Sequence, residues 1–198
     1  MGNSACRFTR FILLLGLLGT TGYSRELIYN GDFELPPDSG WQVVRWGLFP
    51  DTGNCRLRWG HSFNPDRDFE VMIHKMLHQG MKLYQRVEVP QIDSLEFSVS
   101  CRLTAKSESD SLFAAAAVFL EFLDHSDSIL GETRIYIATP GCDWQNSATL
   151  HLIRAPDSFH WHDYRFFLSD ELESLPGIQP ESVKALRIGL LSFVLDNC

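Results

Sequence analysis

Between Leu95 and Leu103 the chain alternates without a break. Leu95, Phe97, Val99, Cys101 and Leu103 take one parity; Glu96, Ser98, Ser100 and Arg102 take the other. Side chains of a β-strand point to opposite faces in turn, so this stretch reads as a strand with one buried face. Such a strand is not stable alone and requires neighbours. They are legible on both sides. Residues 27–29, 42–45, 55–59, 81–89, 129–139, 148–153, 159–168 and 184–195 read as strands, separated by turn signals such as Pro90, Asp124-His125-Ser126-Asp127-Ser128 and Pro140-Gly141. Leu83, Gln85 and Val87 oppose Tyr84 and Arg86; Ile135 and Ile137 oppose Arg134 and Tyr136. The apolar run 113–123 carries the alanines of a helix, but its neighbours are strands and Val118-Phe119-Leu120 favours β. Residues 69–78 read as a strand or one short helix. Ser169, followed by Asp170 and Glu171, reads as an N-cap with an acidic first turn, hence a helical turn at most. Many strands, many turns and almost no helix predict an all-β antiparallel sandwich in one domain.

The ends and the charge narrow the class further. Arg7 and Arg10 precede an apolar run over 11–18, and small residues lead to Ser24. Basic flank, short apolar core and small residues in that order describe a secretory signal. Residues 1–24 are therefore expected to leave, with 25–198 as the mature domain, secreted, periplasmic or at the cell surface. The run is short for a membrane span; an uncleaved interfacial anchor is its other use. The formal net charge is -8, and losing Arg7 and Arg10 deepens it. That argues against nucleic acid or an anionic membrane as main partner, and suits a neutral ligand or a cation such as calcium. Of five cysteines, Cys6 leaves with the signal, while Cys55, Cys101, Cys142 and Cys198 remain. Four cysteines allow three full pairings. Cys101 falls on the inward parity, where a buried free thiol is as good a reading as a disulfide.

The mature chain would open on Asn30-Gly31-Asp32-Phe33-Glu34, a turn that drops Phe33 inward, followed by Gly40-Trp41. This opening resembles that of jelly-roll carbohydrate-binding modules of the galactose-binding-like group. Further segments resemble the group in order: Tyr84-Gln85-Arg86-Val87, then Val118 to Asp124 at an acidic hairpin, Trp161-His162-Asp163-Tyr164, and Val194-Leu195-Asp196-Asn197. The group's last strand usually continues past its Asp-Asn, whereas this sequence stops at Cys198, so the resemblance implies either a shortened last strand or a fragment of a longer reading frame. It also implies a galactose-binding-like jelly roll, a non-catalytic role, a structural calcium and a poly- or oligosaccharide ligand, with a linked catalytic domain where the module belongs to a longer parent. The calcium would take Glu34 and Asp196 as carboxylates and Asp32 through its backbone carbonyl, with Asp51 as a looser candidate.

Pyranose rings present C–H faces that stack on aromatic rings, and hydroxyls that need polar partners. The strands around the Asp124 hairpin offer that mixture. Phe119 and Glu121 share a face of one strand, Arg134 and Tyr136 a face of the next, and Trp46, Trp59, Tyr84 and Trp144 supply rim aromatics. The same residues without a sugar would make a structural or adhesive sandwich. Catalytic signals are thin: His74 and His78 have zinc-protease spacing with Lys75 where the catalytic Glu belongs. His160 and His162 share one parity, with Asp163 adjacent, too few ligands for a metal site. No enzyme activity is expected.

Overall fold

A computed structural model describes residues 4–15, 25–47, 55–61, 69–75, 79–107 and 112–196 of the 198-residue chain. It is all-β, with strands β1 (Ser4–Leu15), β2 (Arg25–Glu26), β3 (Gln42–Gly47), β4 (Cys55–His61), β5 (Phe69–Lys75) and β6 (Gln79–Glu88). There follow β7 (Leu95–Leu103), β8 (Leu112–Leu123), β9 (Ile129–Ala138), β10 (Leu150–Arg154), β11 (His162–Phe167), the short helix α1 (Leu168–Glu173), a 3-10 turn at Pro180–Ser182, and β12 (Ala185–Asp196). They form two six-stranded sheets. The first runs β11-β7-β1-β5-β4, with β2 paired to β1; the second runs β10-β9-β8-β12-β6-β3.

One apolar core joins the sheets. Val71, Ile73, Phe97, Val99 and Cys101 enter it from the first sheet, and Met81, Leu83, Val118, Leu120 and Ile188 from the second. The alternation that defines β7 is thus the core face of the first sheet. The run at β8 lacks alternation for a different reason. Its even positions enter the core while Ala115, Ala117 and Phe119 on the odd positions are also buried. A strand covered on both sides reads as a continuous apolar run.

The expected elements are found with four differences. β10 pairs in parallel with β9, so the second sheet is mixed, not purely antiparallel; the long connection after β9 supplies the crossover that a parallel pair requires. The strand expected over 27–29 lies instead at Arg25–Glu26. Tyr29 finds another partner: its N–H donates to Gln85 Oε1 at 2.8 Å, and its carbonyl accepts from Gln85 Nε2 at 2.9 Å. A side-chain amide carries a carbonyl acceptor and two N–H donors, and here its oxygen and one N–H replace a peptide group. Ser169 lies inside α1, whose N-cap is Phe167 without a side-chain cap; burial of Leu168 at its first position anchors the helix. Finally, Ser4–Leu15, read as leader, is a sheet strand here, antiparallel to β5 and to β7. The structure is that of the chain with these residues attached, and N-terminal sequencing of exported protein is the test of their removal.

The opening loop is held by its own polar groups. Asn30 and Phe33 both adopt positive φ, 54° and 57°, a conformation that costs a non-glycine residue energy. The compensation is visible: the Asn30 amide donates to the Leu35 carbonyl, accepts from the Leu35 N–H, and the Asn30 carbonyl accepts from Trp41 Nε1. Phe33 is fully buried, its ring centroid 4.9 Å from that of Trp41. Cys101 is a buried free thiol, pushed up to about 12 by burial and then by nearby Asp163.

Candidate functional site

Strand register brings most of the expected sugar-contact residues to one place, the outer face of the second sheet. One row reads Gln42, Tyr84, Gly189, Phe119, Arg134 and Leu152 across β3, β6, β12, β8, β9 and β10. The next reads Val44, Lys82, Leu191, Ala117, Tyr136 and Arg154. On the other side of the first row lie Arg86, Arg187, Glu121 and Glu132. Trp46 faces Gly80 across β3 and β6, and a Cβ on Gly80 would stand 2.0 Å from the Trp46 ring. The indole therefore lies against the strand because glycine leaves room for it.

The centre is a buried ion cluster. The Glu121 side chain is 5% exposed and accepts from Lys82 Nζ on one oxygen and from Arg187 Nη1, at 2.7 Å, on the other. Lys82 stands 4.0 Å above the Phe119 ring, and Arg187 5.2 Å above that of Tyr84. A desolvated cation over a ring face is attracted by its quadrupole. Arg187 Nε is buried without a hydrogen-bond partner. Beside this cluster, Arg134 pairs with Glu132 at 2.6 Å and stacks 4.4 Å from Trp144. Trp144, from the β9–β10 connection, also meets Tyr136 at 5.5 Å and Phe193 at 5.6 Å.

The candidates thus divide. Trp46, Tyr84, Arg134 and Tyr136 are half-buried on this face, with Trp144 beside them. Phe119 and Glu121 belong to the face but are covered, so they form its floor rather than its contact surface. Trp59 is elsewhere. It sits on β4 of the first sheet, stacks on Phe69 at 4.7 Å and donates from Nε1 to the Phe33 carbonyl at 2.7 Å. It fastens the opening loop. Lys82 and Arg187 were missed as members, although Lys82 shares the parity of Tyr84 and that was the signal available.

Of the expected calcium ligands, Asp32 and Glu34 are exposed on the opening loop, and Asp32 Oδ1 accepts the Glu34 N–H at 3.3 Å. Asp51 and the Asp196 side chain lie outside the described residues; the Asp196 backbone ends β12 opposite Leu112. Among the described residues no group of three or more His, Cys, Asp or Glu is placed to hold a metal ion. Two exposed carboxylates on one loop match only part of the oxygen sphere that calcium takes.

His74 lies on β5, in line with the strand reading of 69–78, and burial followed by Arg58 and Arg56 lowers its pKa; His78 lies outside the described residues. The carboxylate beside His160 and His162 is Asp157 rather than Asp163. Its Oδ2 is 3.1 Å from His160 Nδ1 and 3.4 Å from His162 Nε2, the latter too skewed for a hydrogen bond. Asp157 also accepts from the backbone N–H groups of Phe159 and His160, which hold its carboxyl well below the usual range. That is a turn-capping role.

No family model matches the chain, and no curated protein matches it. Among solved structures it is similar to the enzymatically active domain of tailspike protein 4 from bacteriophage CBA120, with 13% identity and a TM-score of 0.33. The match covers 86% of this chain and 20% of the tailspike chain.

Proposed function

We propose that the chain is a non-catalytic carbohydrate-binding domain with a galactose-binding-like jelly-roll topology, exported by residues 1–24. The observation that carries this reading is the placement of Trp46, Tyr84, Arg134 and Tyr136 on one sheet face, with Trp144 packed on Arg134 and Tyr136. Half-exposed rings beside charged hydrogen-bonding groups suit a pyranose, which needs both. Stacking gains are offset by the ordering of a flexible sugar, so dissociation constants in the micromolar to millimolar range are expected, roughly -8 to -4 kcal/mol. Calorimetry or affinity electrophoresis against soluble glucans, xylans, mannans and galactans tests this. Tyr136→Ala should weaken binding by about 0.5–1.5 kcal/mol through lost stacking and leave the melting curve nearly unchanged. A folded protein retarded by no glycan would end the reading.

A structural calcium at Asp32, Glu34, Asp51 and Asp196 belongs to the same proposal. A ligand bound only by the folded state raises the melting temperature. Chelation should lower it, and Glu34→Ala should remove the chelator's effect. Identical melting with calcium and with chelator counts against the metal alone, not against the sugar.

A second reading, a structural or adhesive sandwich, has its own observation. Lys82 and Arg187 lie over Phe119 and Tyr84, so the face partly covers itself. Absence of binding to the whole panel would favour this reading.

A further inference from the structure

The chain carries a net charge of -8, yet the outer face of the second sheet is locally cationic. Around Tyr84, Phe119 and Tyr136 the register gathers Lys82, Arg187, Arg134 and Arg154 against the carboxylates Glu121 and Glu132. Glu121 is shared by two cations, Lys82 and Arg187, and Arg187 keeps a buried Nε without a partner. Glu132 is taken by Arg134 in a two-bond fork at 2.6 and 2.7 Å. Arg154 faces Tyr136 from the neighbouring strand, is exposed, and has no side-chain partner among the described residues. The surplus does not extend along the whole face. Toward the Asp124 hairpin, Arg86 meets both Glu88 and Asp127, and the sign there reverses.

A surplus cation beside a ring pair is a site for a sugar that itself carries negative charge. The rings of Tyr136 and Trp144 offer the apolar surface, and the Arg154 guanidinium offers donors in a fork that fits a carboxylate or a sulfate ester. A wholly neutral ligand would leave that cation without a function in binding. We propose that the ligand of this face is an acidic glycan, with its anionic group held at the Tyr136–Arg154 end. The proposal rests on the carbohydrate reading above and narrows it to a substrate class.

The test uses the full chain and three sets of soluble polymers: polyuronates (alginate, polygalacturonate), a sulfated galactan, and neutral glucan and xylan. The acidic sets should bind more tightly than the neutral one. Their binding should weaken as salt rises from about 0.1 M to about 1 M, where the screening length falls from about 10 Å to about 3 Å. Arg154→Gln should weaken acidic-glycan binding about threefold to fivefold, the scale of an exposed ion pair, and leave neutral-glycan binding within about twofold. Arg154→Lys should restore only part of the loss, since the charge returns without the fork. Preference within the acidic sets separates carboxylate from sulfate. Equal binding of neutral and acidic polymers, with Arg154→Gln silent, overturns this inference and leaves the carbohydrate reading standing. No binding to any polymer overturns both.

Discussion

The two sheets draw on different reaches of the chain. Every strand of the second sheet comes from β3 or later, and its centre is the long antiparallel pair β8–β12, in register from Ala185 opposite Leu123 to Asp196 opposite Leu112. The first sheet has β1 at its middle. Among the described strands, β5 and β4 join β7 and β11 only through β1. The candidate ligand face therefore stands on the sheet that takes no strand from residues 1–24, although β1 packs against its β8 and β12 across the core, while the other sheet is closed by residues with the composition of an export signal. The removal proposed for residues 1–24 and a whole first sheet are competing demands on one segment.

Deleting residues 1–24 is the sharpest way to break this comparison and carries the largest expected effect. On the order of ten ladder hydrogen bonds would go, at about 1 kcal/mol net each, with two strand edges left open. The expected loss, roughly 5–10 kcal/mol, rivals the whole stability of a small domain. It should be uneven. In hydrogen exchange, amides of β5 and β7 should quicken while those of β8 and β12 stay protected relative to them. Equal protection of both sheets in the shortened chain would show that another segment closes the first sheet. N-terminal sequencing of the protein recovered from cells that make it then reports which form exists.

The next effect sits where the opening loop meets the second sheet. Gln85 is 7% exposed and makes three bonds: from the Tyr29 N–H, to the Tyr29 carbonyl and to the Gly40 carbonyl. Removing the amide leaves backbone groups unpaired in a dry place, each costing about 1–3 kcal/mol. Gln85→Ala should therefore cost about 3 kcal/mol in denaturant unfolding. A loss under about 1 kcal/mol would mean that water replaces the amide and that the loop depends on the first sheet alone. The residue was legible as inward by parity, between Leu83 and Val87. Its partner was not, because a side chain that imitates a strand leaves no periodic trace.

Glu121 ranks third. Its side chain is 5% exposed and it faces two cations at 20% exposure. Glu121→Gln keeps shape and removes charge, leaving two cations close together. Breaking a buried pair by removing one partner costs about 3–5 kcal/mol; with both cations partly in water, about 2 kcal/mol is expected, read from the melting curve at neutral pH. A neutral or stabilising change would show that the cluster's desolvation outweighs its attraction. This cluster also marks where the sequence stopped being informative. Parity placed Phe119 with Glu121 and Arg134 with Tyr136, and that held. It said nothing of which long side chain lies over which, so Phe119 read as a contact when Lys82 covers it. Trp59 failed similarly. Its strand was legible, but the bond from its indole to the Phe33 carbonyl joins residues far apart in sequence, and no local pattern encodes that.

The smallest effect completes the comparison within the second sheet. Arg86 and Arg187 are opposed across β6 and β12 and each binds carboxylates, but the settings differ. Arg86 pairs at 2.6 Å with Glu88, whose side chain is 73% exposed, and at 2.7 Å with Asp127, 48% exposed. The distances equal or better the 2.7 Å from Arg187 to Glu121, so geometry alone would rank the two arginines together. Dielectric separates them. In water the attraction is screened and the cost of ordering long side chains nearly cancels it, so exposed pairs contribute little. The two carboxylates raise the pKa of Arg86, which at neutral pH changes nothing, because the guanidinium is charged either way. Arg86→Gln should shift stability by no more than about 0.5 kcal/mol, and any effect should vanish at about 1 M salt. Arg187→Gln should cost several times more and respond less to salt. Equal losses from the two variants would mean that the Glu121 cluster is as wet as the hairpin end, and the distinction between a built centre and a solvated rim would fall.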